Sequence, residues 1–252
     1  MDQGYPRIAP AKEGLFEGFA VVTGAGSGIG RAIVLELARR GVPCYLVGRS
    51  LSKLQEVARL ANQVGIESIP IALDLSDAGV GATLAEQLRS FGRPIELLVH
   101  SAAVMSLARI EEATLEGFSK LLTVNLLAPF AITKHLLPEI CAKRGAIVFV
   151  NSSVVHHPAA GTAEYAASKH ALKGFADGLR QEVNARGVRV ISVYPGRTAT
   201  PLQASLCEVE GREYLPDKLL QPEDVAEVVV HAVALSHTAE VTEIMIRPAA
   251  KS

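Results

Sequence analysis

Tyr165 and Lys169 stand four residues apart in Tyr165-Ala166-Ala167-Ser168-Lys169, and Ser152 precedes the tyrosine by thirteen residues. On an α-helix, positions i and i+4 share one face, so a helix here sets a phenol beside an ammonium. A phenol ordinarily ionises near pH ~10, too high for a group that must give and take a proton at neutral pH. A fixed positive charge nearby favours the phenolate and brings that value toward the working range. With a serine hydroxyl delivered from the end of a preceding strand, the three groups could hold, polarise and protonate a carbonyl oxygen. That is the chemistry of hydride transfer. A short motif of this kind also arises by chance, so its meaning depends on the elements that position it.

Those elements alternate along the chain. Short apolar runs at Phe19–Thr23, 43–47, 68–73, 96–100, 146–151, 188–194 and 242–246 read as strands. Helical stretches begin near Ile29, Ser50, Ala78, Leu115, Ala163 and Pro222. The alternation predicts a parallel sheet with helices on both faces. In 188–194, five of seven residues are Val, Ile or Tyr, as suits a strand buried on both sides. Pro222-Glu223-Asp224 starts a helix with proline in the first turn and acids at the positive end of the dipole. Pro129 and Pro138 fall within 115–142, so that helix is expected to kink, split or end early. The fold class is α/β: one doubly wound, Rossmann-like domain over residues 18–252, its seven-stranded parallel sheet flanked by helices, with residues 1–17 as a leader.

Composition narrows the function. Of 252 residues, 49 % are apolar and 20 % charged, ample for a large core. The balance of 25 Lys+Arg against 26 Asp+Glu gives no reason to expect nucleic acid or an anionic membrane as partner. No unbroken apolar run reaches the roughly 18 residues of a membrane span. The start, Met1-Asp2-Gln3-Gly4-Tyr5-Pro6, lacks the basic and apolar blocks of a signal peptide, so a cytoplasmic protein is expected. Cys44, Cys141 and Cys207 are odd in number and widely spaced, which suits buried free thiols better than disulfides or a metal site.

The first strand runs into Thr23-Gly24-Ala25-Gly26-Ser27-Gly28-Ile29-Gly30. Glycines between strand and helix allow a tight turn whose N–H groups can approach a pyrophosphate. A glycine cluster can also be a mere turn, but the strand before and helix after favour a nucleotide. Thr23-Gly24-x-x-x-Gly28-Ile29-Gly30, taken with Ser152, Tyr165 and Lys169, resembles the short-chain dehydrogenase/reductase family in order and spacing, over roughly residues 17–247.

The resemblance implies a set of roles. Tyr165 is the general acid in reduction and the base in oxidation. Lys169 holds the nicotinamide ribose and depresses the tyrosine pKa, Ser152 orients the carbonyl, and Asn125 holds a water in a proton relay. Ser153 is a second hydrogen-bonding group. Gly24, Ser27, Gly28, Ile29 and Gly30 meet the pyrophosphate. Ser101 and Ala102 meet the adenosine half, and Asp74 the adenine ring. Pro195-Gly196-Arg197-Thr198-Ala199-Thr200 matches the family's turn after the sixth strand, with Pro195, Gly196 and Thr198 at the carboxamide and Thr200 by the pyrophosphate. Asp74 read by itself is equally a helix cap before Ser76, and Asn125 a buried asparagine that kinks a helix. The second strand ends in Val47-Gly48-Arg49-Ser50, with no acid to bind ribose hydroxyls. Arginine forms charge-assisted bonds to phosphate, so Arg49 points to NADP(H) over NAD(H), the alternative being a solvated surface charge.

One departure is plain. Many members read Asn-Asn-Ala-Gly after the fourth strand, and this chain has His100-Ser101-Ala102-Ala103. Small residues keep the backbone path open, and His100 is expected to stand in for a structural asparagine that bonds to a neighbouring strand. His156 and His157 are expected at the substrate mouth or in solvent, and no metal is expected. Residues 201–218 are expected to form the lid, with Leu202, Leu206 and Leu215 inward. The reading is an NADP(H)-dependent oxidoreductase for a small-molecule carbonyl/alcohol pair, in a homotetramer or homodimer. Two rivals stay open: a catalytically silent NADP(H)-binding sensor or scaffold, and a lyase or isomerase with tightly held cofactor.

Overall fold

The computed structural model describes residues 16–249, so most of the expected leader lies outside the described residues. Seven strands, β1 (Phe19–Thr23), β2 (Cys44–Gly48), β3 (Ser68–Ala72), β4 (Ile95–His100), β5 (Ala146–Val150), β6 (Arg189–Pro195) and β7 (Glu243–Ile246), form one sheet. Their spatial order is β3-β2-β1-β4-β5-β6-β7, and every pairing is parallel. The expected strands are all present, with boundaries displaced by a residue at several ends. Every residue of β1, β5 and β6 is buried, which is why these strands read as apolar runs rather than alternations.

Helices α1 (Gly28–Arg39), α2 (Leu51–Asn62) and α8 (Pro222–Ala234) cover one face, packing Ile33, Leu54 and Val229 against the sheet. Helices α3 (Val80–Ser90), α5 (Ala128–Ala142) and α6 (Ala163–Val183) cover the other with Leu84, Ile132 and Leu172. The start of α8 is closed by Asp224, whose carboxylate accepts the Gln221 N–H at 3.1 Å. A further helix, α7 (Pro201–Val209), lies where only a lid was expected. Thr200 caps it by accepting the Gln203 N–H at 3.2 Å, and Pro201 occupies its first turn.

The stretch from Leu115 to Ala142 corrects the expectation that a proline interrupts it. Helix α4 (Leu115–Leu122) continues into α5 through a π-helical turn, Thr123–Leu127, so the ladder changes at Asn125 and not at a proline. Pro129 falls in the first turn of α5, and Pro138 sits inside that helix. Taken whole, Leu115–Ala142 is long and apolar enough to cross a membrane, though no apolar run within it is unbroken. Its inward stripe of Leu121, Val124, Ala128, Ile132, Leu136 and Ile140 is buried within the protein.

Candidate active site

Between β1 and β4 the sheet reverses the direction in which successive strands are added, and a crevice opens at the carboxyl ends of the strands. A cleft of about 560 Å³ occupies it. Ser152, Tyr165 and Lys169 line this cleft together with Gly24, Ser27, Gly28, Ile29 and Gly30, so the fold brings both halves of the expected site to one place. Arg49, Asp74, Ser101, Ala102, Pro195, Gly196, Thr198 and Thr200 line it too.

Ser152 follows β5, and its hydroxyl oxygen accepts the Val154 N–H at 3.2 Å. Tyr165 and Lys169 lie one turn apart on α6, both buried. The Lys169 ammonium donates to the Val150 carbonyl at 3.1 Å and sits 5.8 Å from the centre of the Tyr165 ring. Burial dominates both groups. It pushes the phenol up to about 12, with the Ser152 hydroxyl opposing, and pushes the ammonium down to about 8. Desolvation penalises both charged forms in the nucleotide-free protein.

Asn125 is buried in the π-helical turn, and its side chain is already engaged. Its Oδ1 accepts the Val104 N–H at 2.9 Å, while Nδ2 donates to the Val104 carbonyl at 2.9 Å and to Ser168 Oγ at 3.1 Å. Both amide hydrogens are committed, so the expected water would have to be held by the main-chain carbonyl or the second Oδ1 lone pair. Ser168 in turn donates to the Tyr165 carbonyl at 2.7 Å, tying Asn125 to α6.

At the other end, α1 opens with Ser27, which makes no side-chain cap bond, and its first turn holds no acid. The helix start thus offers free N–H groups and an uncompensated positive dipole end, a good seat for an anion. The turn is tight. A Cβ at Gly30 would meet the Gly24 carbonyl at 2.5 Å, and one at Gly28, where φ is +52°, would meet Thr200 Cγ2 at 3.0 Å. The glycine turn therefore fits the close approach of a dinucleotide pyrophosphate, with Thr200 packed against it. Arg49 is exposed beside the cleft. Asp74 accepts from the Ser76 N–H at 2.9 Å and hydroxyl at 2.7 Å, which hold its carboxyl below the usual range. It is a local cap that also faces the cleft.

Several side chains depart from expectation. His100 bonds to a helix rather than a strand: Nε2 meets Thr133 Oγ1 of α5 at 2.9 Å, and the ring stacks on Phe149 at 5.0 Å. Burial holds its pKa down at about 3, so it is neutral. His156 turns inward, its ring 4.8 Å from that of Tyr194, while His157 is exposed and lines the cleft. Leu202 and Leu206 face the cleft, but Leu215 lines a separate small hollow behind α7. Cys44 and Cys207 are buried and Cys141 half-buried, all unpaired.

Four contributors were not singled out from the sequence. Thr23 Oγ1 accepts from the Ser101 and Ala102 N–H groups at 3.1 and 3.3 Å, which positions the loop after β4. Asn151 ties Ser152 to α6: its Oδ1 accepts the Ser152 N–H at 2.9 Å and its Nδ2 donates to the Lys169 carbonyl at 3.1 Å. Ser168 is the third, and Arg197, which lines the cleft, is the fourth. A polar residue beside a candidate catalytic one in an otherwise apolar stretch was the available signal for Asn151 and Ser168.

Residues 18–211 match the family model described as short chain dehydrogenase. An uncharacterised short-chain type dehydrogenase/reductase of Sinorhizobium fredii is 32 % identical over 235 residues, 91 % of this chain and 90 % of that protein. Among solved structures, a putative NAD(P)-dependent gluconate 5-dehydrogenase from Beutenbergia cavernae with bound NADP is 31 % identical, with a TM-score of 0.82 over 92 % of this chain and 96 % of its own. A putative short-chain dehydrogenase from Escherichia coli complexed with NADPH is 28 % identical, with a TM-score of 0.85 over 94 % and 99 %.

Proposed function

The chain belongs to the short-chain dehydrogenase/reductase family, and on that premise we propose that it is an NADP(H)-dependent oxidoreductase acting on a carbonyl/alcohol pair. One observation carries the reading: Ser152, Tyr165 and Lys169 line the same cleft as a glycine turn too tight for any other residue at Gly30. A nicotinamide dinucleotide bound along that cleft would supply the hydride or accept it.

The chain's own residues would do the rest. The free N–H groups at the start of α1, with Gly24, Ser27, Gly28, Ile29, Gly30 and Thr200, would seat the pyrophosphate. Ser101, Ala102 and Asp74 would flank the adenosine half, and Pro195, Gly196 and Thr198 the carboxamide. Arg49 would meet a 2′-phosphate, a role supported by the NADP and NADPH found in similar structures. Lys169 spends one of its three donors on Val150, leaving two for a ribose. Ser152 would orient the carbonyl oxygen. Tyr165, held protonated by burial, stands as the acid for reduction, and Asn125 would serve a relay behind the lysine. The half-exposed Leu127 and Phe130 of the long helix support self-association into a homo-oligomer.

The test is an NADPH-oxidation screen over aldehydes and ketones with Tyr165→Phe as control. Loss of the proton donor should lower turnover by about 10²–10⁴-fold while NADPH binding stays intact. Wild-type turnover in the variant would overturn the mechanism, and tight NADPH binding with no oxidation by the native protein would mark a sensor.

A further inference from the structure

We propose that Arg197 selects the substrate: its guanidinium takes a carboxylate borne by the carbonyl compound, so the preferred class is the oxo acid over the neutral aldehyde or ketone. The inference rests on the oxidoreductase reading above.

Arg197 follows Pro195-Gly196 and is rooted by its main chain. The Leu220 N–H donates to its carbonyl at 3.1 Å, and the Ala199 N–H donates to the Leu220 carbonyl at 2.8 Å. Its side chain, 39 % exposed, lines the same cleft as Ser152, Tyr165 and Lys169. Near the lid the walls are apolar, with Met105, Leu107, Leu202 and Leu206. Of the cleft's other cations, Lys169 sits buried beside Tyr165, bonded to the Val150 carbonyl, and the rest belong to the dinucleotide side: Lys53 lies against Gly26, and Arg49 and Lys120 act on Asp74. A cation among apolar walls is costly without a counter-charge, and the protein supplies one at the end of α7.

That counter-charge is Glu210, and its geometry leaves room for another anion. One nitrogen, Arg197 Nη2, serves both Glu210 oxygens, at 3.2 and 3.3 Å. The two-nitrogen fork that makes the strongest guanidinium–carboxylate pair is unused. Glu210 also has a second cation, Arg212 Nη1, at 3.6 Å. A substrate carboxylate can therefore engage the remaining Arg197 donors, or displace Glu210, without stranding Glu210 as a lone anion. Leu202, Leu206 and Glu210 recur every four residues and face the cleft together, so the substrate tail would run along an apolar wall toward the guanidinium.

The experiment compares kcat/KM with NADPH for matched acids and esters: levulinate against methyl levulinate, and phenylglyoxylate against methyl phenylglyoxylate. The native protein should favour the acid of at least one pair by about tenfold or more. Arg197→Leu should remove that preference by lowering the acid alone, and Glu210→Gln should maintain or raise activity on the acid, because a competing carboxylate is gone. Equal use of acid and ester overturns the proposal. So does a uniform loss in both variants on both substrates, the result expected if the pair only fastens α7 over the cleft. Calorimetric binding of each acid and ester to the NADPH-loaded protein reads the anchor without turnover. Acid binding lost in Arg197→Leu supports it even if the oxidoreductase reading fails, and acid bound no tighter than ester refutes it.

Discussion

Lys169→Met should make the nucleotide-free protein more stable while abolishing most of its turnover. Lys169 is 1 % exposed, and its ammonium makes one hydrogen bond, to Val150. Burial lowers its pKa from 10.5 to about 8. Between those values the unfolded chain holds a proton that the fold does not, so this group makes stability rise with pH across the window. Below pH ~8 the full cost of burying the charge is present. At about 1.36 kcal/mol per pH unit, that fall corresponds to about 3 kcal/mol. Losing the bond to Val150 offsets about 1 kcal/mol of it. Methionine fills a similar volume without charge, so a net gain of about 2 kcal/mol is expected at pH ~7, or roughly 4–8 °C in Tm for a domain of this size. Urea and thermal unfolding at pH ~7 and again near pH ~10.5 check it, since the advantage should shrink as the native lysine loses its proton. A variant no more stable than the native protein at neutral pH, or an advantage unchanged at high pH, would refute the reasoning.

Two further outcomes are expected. Arg49→Ala should weaken NADPH binding by about 10–100-fold, the worth of hydrogen bonds to a charged group, with NADH binding changed by less than about threefold; fluorescence titration with both nucleotides measures this, and equal losses would remove Arg49 from the 2′-phosphate. His100, held neutral down to about pH 3 against an ordinary 6.5, should make the native protein lose stability as pH falls through that interval, because the unfolded chain then binds the extra proton. His100→Asn lacks that titration, so the stability gap between variant and native protein should narrow by about 2–3 kcal/mol from pH ~7 to pH ~4.5 in urea midpoints; a gap that stays constant counts against the buried neutral imidazole.

Much of this molecule was legible locally. Tyr165 and Lys169 share a helix face because of their spacing alone, and the glycine turn announced itself between an apolar run and a helix. Thr200-Pro201 was an equally good helix start that went unread, because the segment's mixed apolar and charged residues suggested only a lid. The π-helical turn at Asn125 had no such signal: two prolines nearby drew attention to themselves, while the ladder changed where a buried amide could clamp the Val104 backbone.

The order and type of the elements, the parallel sheet and the positions of Ser152, Tyr165 and Lys169 were determined by sequence, since strands buried on both faces must be apolar throughout and turns must use residues that tolerate them. Tertiary structure alone decided the electrostatics and the partners. Burial by distant segments raises Tyr165 and lowers Lys169, and packing gives His100 a threonine on α5 for a partner. Arg197 on the turn after β6 meets Glu210 at the end of α7. Charge stability depends on how completely water is excluded and which groups replace it, and those are properties of packing between elements far apart in the chain.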